Sequence, residues 1–276
     1  MRLHALKTGS VAVRERQRRG AGHGQRRLLN TLLDRRWTEP LPILAWAIEH
    51  PEGLIVVDTG ETARTAEPGY FPRWHPYFRL AVRLFVEPQD EIGPAMRRSG
   101  LDPADVRWVV LTHMHTDHAG GLHHFPDSEV IVSAEELKLA SGLGGKLRGY
   151  VPHRLPPWLR PRTVTFDADP WERFPASIPL TSSGDVRLIP TPGHTPGHLS
   201  VVAETDDRLV VFAGDASYSE EILLEQVVDG VAPDERVAKE TLARLLDLTR
   251  RRSTVYLPSH DPEAVRRLTE RMPVGR

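Results

Sequence analysis

The chain has 276 residues, an apolar fraction of 39% and a formal net charge of -1 at pH 7. That is enough apolar material for a sizeable folded core, and the near-neutral balance gives neither nucleic acid nor an anionic membrane a reason to be the main partner. Cysteine is absent, which excludes disulfides and thiolate metal sites, so any metal must be held by nitrogen and oxygen.

In chain order, residues 1–20 lack the apolar segment of a secretory signal, and no later stretch approaches the roughly 18 apolar residues of a membrane span. The expectation is therefore an untethered, cytoplasmic protein. Residues 13–36 are rich in arginine, with Gly20, Gly22 and Gly24 interspersed, and predict a mobile surface loop. Strands are predicted over 43–49 and 54–57, the second running into Asp58-Thr59-Gly60. An aromatic segment follows over 70–86, where residues 77, 80, 81, 84 and 85 share one face of a helix, suited to a substrate channel, ordinary core or a dimer contact.

Further strands are predicted over 106–111, 129–132, 186–189, 199–203, 209–213 and 254–257. Helices fall near 90–99, 134–141, 234–251 and 262–271, with Asp234 a suitable N-cap and Pro262 suited to a first turn. Between 144 and 179, proline and aromatic residues predict a long packed excursion. Because strands and helices are interspersed with no break in composition, one layered domain over 1–276 is favoured.

The chemistry concentrates at His113, His115, Asp117 and His118, placed directly after an apolar run and directly before Ala119-Gly120-Gly121. In an extended chain residues 113, 115 and 117 point the same way, and His118 joins them only where the backbone turns, which Ala-Gly-Gly permits. Imidazoles and a carboxylate at this density suit Zn²⁺ or a similar first-row ion. Three later strand ends offer more donors: His194 in Pro-Gly-His-Thr-Pro-Gly-His, Asp215 after Phe-Ala-Gly, and His260 after Leu-Pro-Ser. Together these are enough for two metals sharing a carboxylate and a bridging water. His198 suits a hydrogen-bonded supporting role, and His123 and His124 read as solvated. Asp58 is either a turn residue at a strand end or a buried carboxylate that orients a ligand.

At these residues the chain resembles the metallo-β-lactamase superfamily. The Asp58-Thr-Gly, the run from Thr112 to Gly121, the block holding His194 and His198, Gly214-Asp215 and the late His260 occur in the expected order. The resemblance implies a four-layer αββα sandwich, two mixed sheets flanked by helices, with a dinuclear centre along one edge, the two divalent ions being taken as Zn²⁺. It implies that His113, His115 and His194 hold one ion, that Asp117, His118 and His260 hold the other, and that Asp215 bridges them. Branches that place a cysteine where Asp215 stands, or a glutamate where His115 stands, do not fit.

Tyr218, three residues after Asp215, is similar to a tyrosine of the quorum-quenching N-acyl homoserine lactonases, although a tyrosine there could equally pack against 219–226. That resemblance implies a hydrolase opening a lactone ring by attack of a bridging hydroxide, with Tyr218 polarising the carbonyl and Asp117 acting as general acid. The implied partner is a small-molecule lactone or ester, with a homodimer as a candidate assembly. Another esterase, a thioesterase or a phosphodiesterase on the same centre, or a non-catalytic metal-binding member, are the alternatives.

Overall fold

Alternation with a period of two decides which face each strand buries. The computed structural model describes residues 1–275. Its strands are β1 (Arg2–Val13), β2 (Leu41–His50), β3 (Gly53–Val57), β4 (Val82–Phe85), β5 (Val106–Val110), β6 (Glu129–Ser133), β7 (Arg162–Val164), β8 (Ile178–Pro179), β9 (Val186–Pro190), β10 (Leu199–Glu204), β11 (Leu209–Gly214) and β12 (Thr254–Pro258). The first seven form one sheet in the order β4-β1-β2-β3-β5-β6-β7, and the other five a second sheet in the order β12-β11-β10-β9-β8. Both sheets are mixed. β3, β5, β6 and β7 run parallel, as do β11 and β12, while the remaining pairs are antiparallel.

Leu44, Trp46 and Ile48 of β2, Ile55 and Val57 of β3, and Trp108 and Val110 of β5 face the second sheet. There they meet Leu199, Val201 and Ala203 of β10 and Val210 and Phe212 of β11. The Trp46 and Phe212 rings, 5.7 Å apart between centroids, join the two sheets. The intervening residues Ala45, Ala47, Val56 and Val109 point outward, against Ile92, Ala95 and Met96 of the helix Ile92–Arg98. On the far side Val202, Val211 and Ala213 pack under Leu242, Leu245 and Leu246 of the helix Glu235–Arg251. Strands buried on both faces read as continuous apolar runs, and the result is the four-layer αββα sandwich. Asp234 caps the long helix as expected, accepting from the Arg236 and Val237 N–H groups.

The structure departs from the sequence expectations at four places. Residues 13–36 are not a loose loop: after β1 they form the helices Glu15–Arg18 and Gln25–Leu33, with Gln17, Arg27 and Thr31 buried. Arginine content signalled solvent, but the Arg27 guanidinium is consumed by the carbonyl oxygens of Gly22, Val228 and Asp229. The helical stripe over 77–85 is also interrupted. Only Pro76–Leu80 is helical, and Val82–Phe85 pairs as β4 with the edge of β1, whose open N–H and C=O groups outweigh local periodicity. β1 itself was not expected, because its apolar residues do not alternate strictly. It bulges between Lys7 and Ser10 at Gly9, whose φ of +117° brings the backbone against Phe85. Pro262 lies before the last helix, Ala264–Glu270, rather than in its first turn.

Candidate metal centre

Each expected donor sits just beyond a strand end on one edge of the sandwich. His113 and His115 follow β5, while Asp117 and His118 occupy the single turn Thr116–Ala119. His194 lies between β9 and β10, Asp215 follows β11, and His260 follows β12. Positions 113 and 115 share a face, as the extended spacing requires, and the turn beginning at Thr116 brings His118 round to meet them. At Gly214, φ is +55° and an added Cβ would lie 2.7 Å from Thr112 Oγ1 and 2.8 Å from His198 Nε2, so only glycine delivers Asp215 into this edge.

The donors converge. His115 Nδ1 lies 3.0 Å from His113 Nε2 and 3.1 Å from His194 Nε2. On the other side His260 Nε2 lies 3.4 Å from Asp117 Oδ2, and His118 Nε2 lies 4.0 Å from Asp117 Oδ1. Asp215 stands between the two groups and divides its carboxylate. Its Oδ1 is 3.3 Å from His118 Nε2 and 3.4 Å from His260 Nε2, while its Oδ2 is 3.5 Å from His194 Nε2. All seven expected residues are thus brought to one place, and these groups are the kind that could hold a metal ion.

The outward ring nitrogens of His113, His118, His194 and His260 are engaged, which fixes the orientation of those imidazoles. His118 Nδ1 donates to Asp58 Oδ2 at 2.8 Å, and Asp58 also accepts from the Thr112 N–H and hydroxyl, each at 2.8 Å. Asp58, at φ +60°, is therefore the buried orienting carboxylate of the two roles open to it. His194 Nδ1 donates to Asp229 Oδ2 at 3.1 Å, and His260 Nδ1 to the Pro42 carbonyl at 2.9 Å. His198 is not among the converging donors. Its Nε2 accepts the Asp215 N–H at 3.1 Å and its Nδ1 meets Thr191 Oγ1 at 2.9 Å, and burial keeps it neutral by pushing its pKa down to about 3.

The electrostatics fit cation binding. Burial by itself would depress His118 and His260, yet the surrounding carboxylates, Asp215 foremost, outweigh it, holding His118 well above its ordinary value and raising His260 to about 10. Burial would likewise raise Asp215, but His260 and His118 pull it well below the usual carboxylate range. The edge therefore calls for positive charge. His118 Nε2 and Asp215 Oδ1, both buried, face one another without a hydrogen bond. Two orphaned polar atoms amid a nitrogen and oxygen donor set are what divalent first-row cations satisfy.

Tyr218 lies against this edge. Its ring stacks on His260 at 5.5 Å between centroids and packs with Ile222, which is the packing role that the sequence left open to it. Its hydroxyl accepts from Gln17 Nε2 at 2.9 Å.

Sequence reasoning missed Asp229, which carries no motif, and Glu136. The latter is visible as the last residue of a capping box, Ser133 accepting from its N–H. The Glu136 carboxylate is spent elsewhere: it accepts from the Met114 N–H, the Tyr150 hydroxyl and the Thr195 hydroxyl, tying the two histidine-bearing loops together. His123 and His124, read as solvated, both turn Nε2 onto Glu91 Oε2, at 3.0 and 2.8 Å. The reason is that Glu91, fixed by the Thr62 hydroxyl and Ala63 N–H, sits beside the turn that carries them.

A sandwich of this kind with histidines and aspartates gathered at its strand ends defines a metallo-hydrolase class of fold, and the metallo-beta-lactamase superfamily model matches residues 38–260. The chain belongs to that superfamily. Among curated proteins, it is 30% identical to the N-acyl homoserine lactonase of Bacillus thuringiensis over 226 residues, 81% of this chain and 82% of that one. It is 34% identical over 176 residues to a probable metallo-hydrolase of Mycobacterium tuberculosis, spanning 62% of this chain but only 55% of that relative's length. Among solved structures, an N-acyl homoserine lactone hydrolase with N-hexanoyl-L-homoserine at its catalytic metal centre superposes with a TM-score of 0.73 at 23% identity, over 95% of this chain and 93% of that one. The dizinc quorum-quenching lactonase AidC gives 0.63 at 15% identity, over 94% of this chain and 87% of that one. These two structural likenesses bear on the fold.

Proposed function

We propose that the chain is a dinuclear metal-dependent hydrolase that opens the lactone ring of N-acyl homoserine lactones. The observation that carries this reading is the division of Asp215 between two donor groups, with Tyr218 three residues further on and stacked on His260. The similarity to Bacillus lactonases over four-fifths of both chains supports the substrate class. His113, His115 and His194 would hold one ion, Asp117, His118 and His260 the other, and Asp215 would touch both. Imidazole and carboxylate donors without thiolate suit Zn²⁺. Two divalent cations there would lower the pKa of a shared water from about 15.7 to about 7, making hydroxide available at neutral pH.

The chain's own groups handle the rest. Tyr218 stays protonated, because burial and then the Asp215 charge raise its pKa well above that of a free phenol, so it donates its O–H to the oxygen of the attacked carbonyl as negative charge develops there. Asp117 is held ionised: burial opposes this, and His118 and His260 prevail. Its carboxylate takes the remaining proton of the hydroxyl that has added to the carbonyl and delivers it to the ring oxygen as the C–O bond breaks. The product is one open-chain hydroxy acid.

Ring opening releases a proton near neutral pH, so a pH-indicator assay on purified, metal-quantified enzyme reads the reaction directly. N-acyl homoserine lactones are expected to be turned over, with thioesters and nitrophenyl phosphates slower. Tyr218→Phe is expected to lower lactone turnover about ten- to a thousand-fold with metal content unchanged, the effect of losing one oxyanion donor. Turnover confined to phosphate esters, or a Tyr218→Phe variant with unaltered kinetics, overturns the reading.

A further inference from the structure

Beside the metal edge lies a polar arrangement that the mechanism above does not use. Gln17, on the short helix Glu15–Arg18, is 3% exposed, and its Nε2 donates one hydrogen to Tyr218 Oη and one to Tyr77 Oη, each at 2.9 Å. The amide hydrogens are thereby spent, whereas Gln17 Oε1 is buried and has no hydrogen-bond partner. Both phenol oxygens act as acceptors here, so both O–H hydrogens remain free to be donated. This is also the only carboxamide orientation compatible with Tyr218 donating to a substrate. Tyr77 comes from the helix Pro76–Leu80. Its hydroxyl shares Gln17 Nε2 with that of Tyr218, whose ring stacks on His260, and its phenol is held protonated by burial first and then by the Asp117 carboxylate. The arrangement is built rather than incidental. The Gln17 carbonyl accepts the Gly230 N–H at 2.7 Å, and Arg27, further along the same segment, is bound to the Val228 and Asp229 carbonyls, so Gln17 is anchored to the loop that orients His194.

The geometry points to a subsite for the amide of an N-acyl substrate, in which Gln17 Oε1 accepts the amide N–H and the Tyr77 hydroxyl donates to the acyl carbonyl. This rests on the lactonase reading and adds a specificity element to it. In an N-acyl homoserine lactone the amide nitrogen is attached to the carbon next to the lactone carbonyl. The acyl oxygen, the N–H and the attacked carbonyl therefore follow one another along a short chain of atoms. One unpartnered acceptor and two hydroxyl donors, all tied to a single carboxamide, match those three groups in kind. A buried acceptor left without a donor penalises any ligand that cannot supply one, so a site shaped to take an N–H discriminates against analogues lacking it. Simple lactones, aryl esters and phosphodiesters offer no such hydrogen.

The test compares kcat/KM for an N-acyl homoserine lactone with that for the α-acyloxy-γ-butyrolactone of the same chain length, in which an ester oxygen replaces the N–H. The ratio is the readout, because freeing Tyr218 from Gln17 lowers both values together. Wild-type holoenzyme is expected to prefer the amide by about tenfold or more, and Gln17→Leu, with the same metal content, to lose that preference. Tyr77→Phe, at a partly exposed position and so less exposed to folding failure, removes the donor to an acyl carbonyl that both compounds carry, and is expected to lower both values while leaving the ratio. A wild-type ratio near one, a preference that survives Gln17→Leu, or kinetics on both compounds unaltered by Tyr77→Phe, overturns the subsite while leaving the lactonase reading intact. Wild-type enzyme that opens neither compound overturns the lactonase reading, and the subsite with it.

Discussion

The two halves of the centre use the same residue type in opposite electrostatic settings. His113 and His115 lie in a half furnished by imidazoles. Burial and then the neighbouring rings depress both, His115 to about 3, and only His194 is raised, since Asp229 outweighs its burial. His118 and His260 lie in the half that contains Asp117 and receives Asp215 Oδ1, and both are raised against the effect of burial. The lesson is that burial alone does not set histidine chemistry; the placement of carboxylates around the rings does. One half offers a cation three imidazoles and a share of Asp215, and the other adds the Asp117 carboxylate.

The largest expected effect comes from removing the group the halves share. On the proposed dinuclear lactonase reading, Asp215→Asn is expected to reduce bound metal from two equivalents to one or none, and lactone turnover by about a thousandfold or more. His118→Ala should empty only the carboxylate-rich half and leave one equivalent, and elemental analysis of the purified variants distinguishes the two. Two equivalents retained in both would break the comparison.

A smaller effect sharpens it. Asp58 orients an imidazole of one half and Asp229 an imidazole of the other, so on the proposed dinuclear reading Asp58→Asn and Asp229→Asn should each loosen one ion by about 10- to 100-fold. Chelator competition should show two separable losses rather than a common one. If both variants release the same single equivalent, the halves are not independent.

The smallest concerns Glu61, a buried carboxyl next to the Asp117 half that receives the Thr116 hydroxyl and the Thr62 N–H, and whose pKa burial raises to about 8. The unfolded chain loses this proton near the ordinary glutamate value of about 4.3, so in that window the folded state binds more protons and stability falls as pH rises. The contribution is complete below about pH 4 and lost above about pH 8. In metal-free protein, Glu61→Gln should remove this slope, so that the Tm difference between variant and wild type grows in the variant's favour from pH 5 to pH 8. A pH-independent difference would mean that Glu61 titrates normally.

Much of the centre was legible because local geometry carries it. Spacing of two along an extended segment puts His113 and His115 on one face, and glycines after His118 and before Asp215 mark where the backbone must turn. What was illegible lies at long range. His118 finds Asp58 across 60 residues and His194 finds Asp229 across 35, and Asp229 belongs to no motif. The arginine-rich stretch over 13–36 misled for a related reason: its charge describes a free peptide, whereas packing against 228–230 turns Arg27 inward and carries Gln17 to the tyrosines.

By itself, then, the sequence determined which donors exist, that they follow apolar strands, and that the strands bury alternate or both faces, because side-chain direction along a strand repeats every two residues whatever surrounds it. Only the tertiary structure decided which carboxylate orients which imidazole, that Asp215 divides between two groups, and that Gln17 lies over the edge. Those pairings depend on how two sheets and a wrapped N-terminal segment pack together, and packing joins residues whose separation along the chain leaves no local trace.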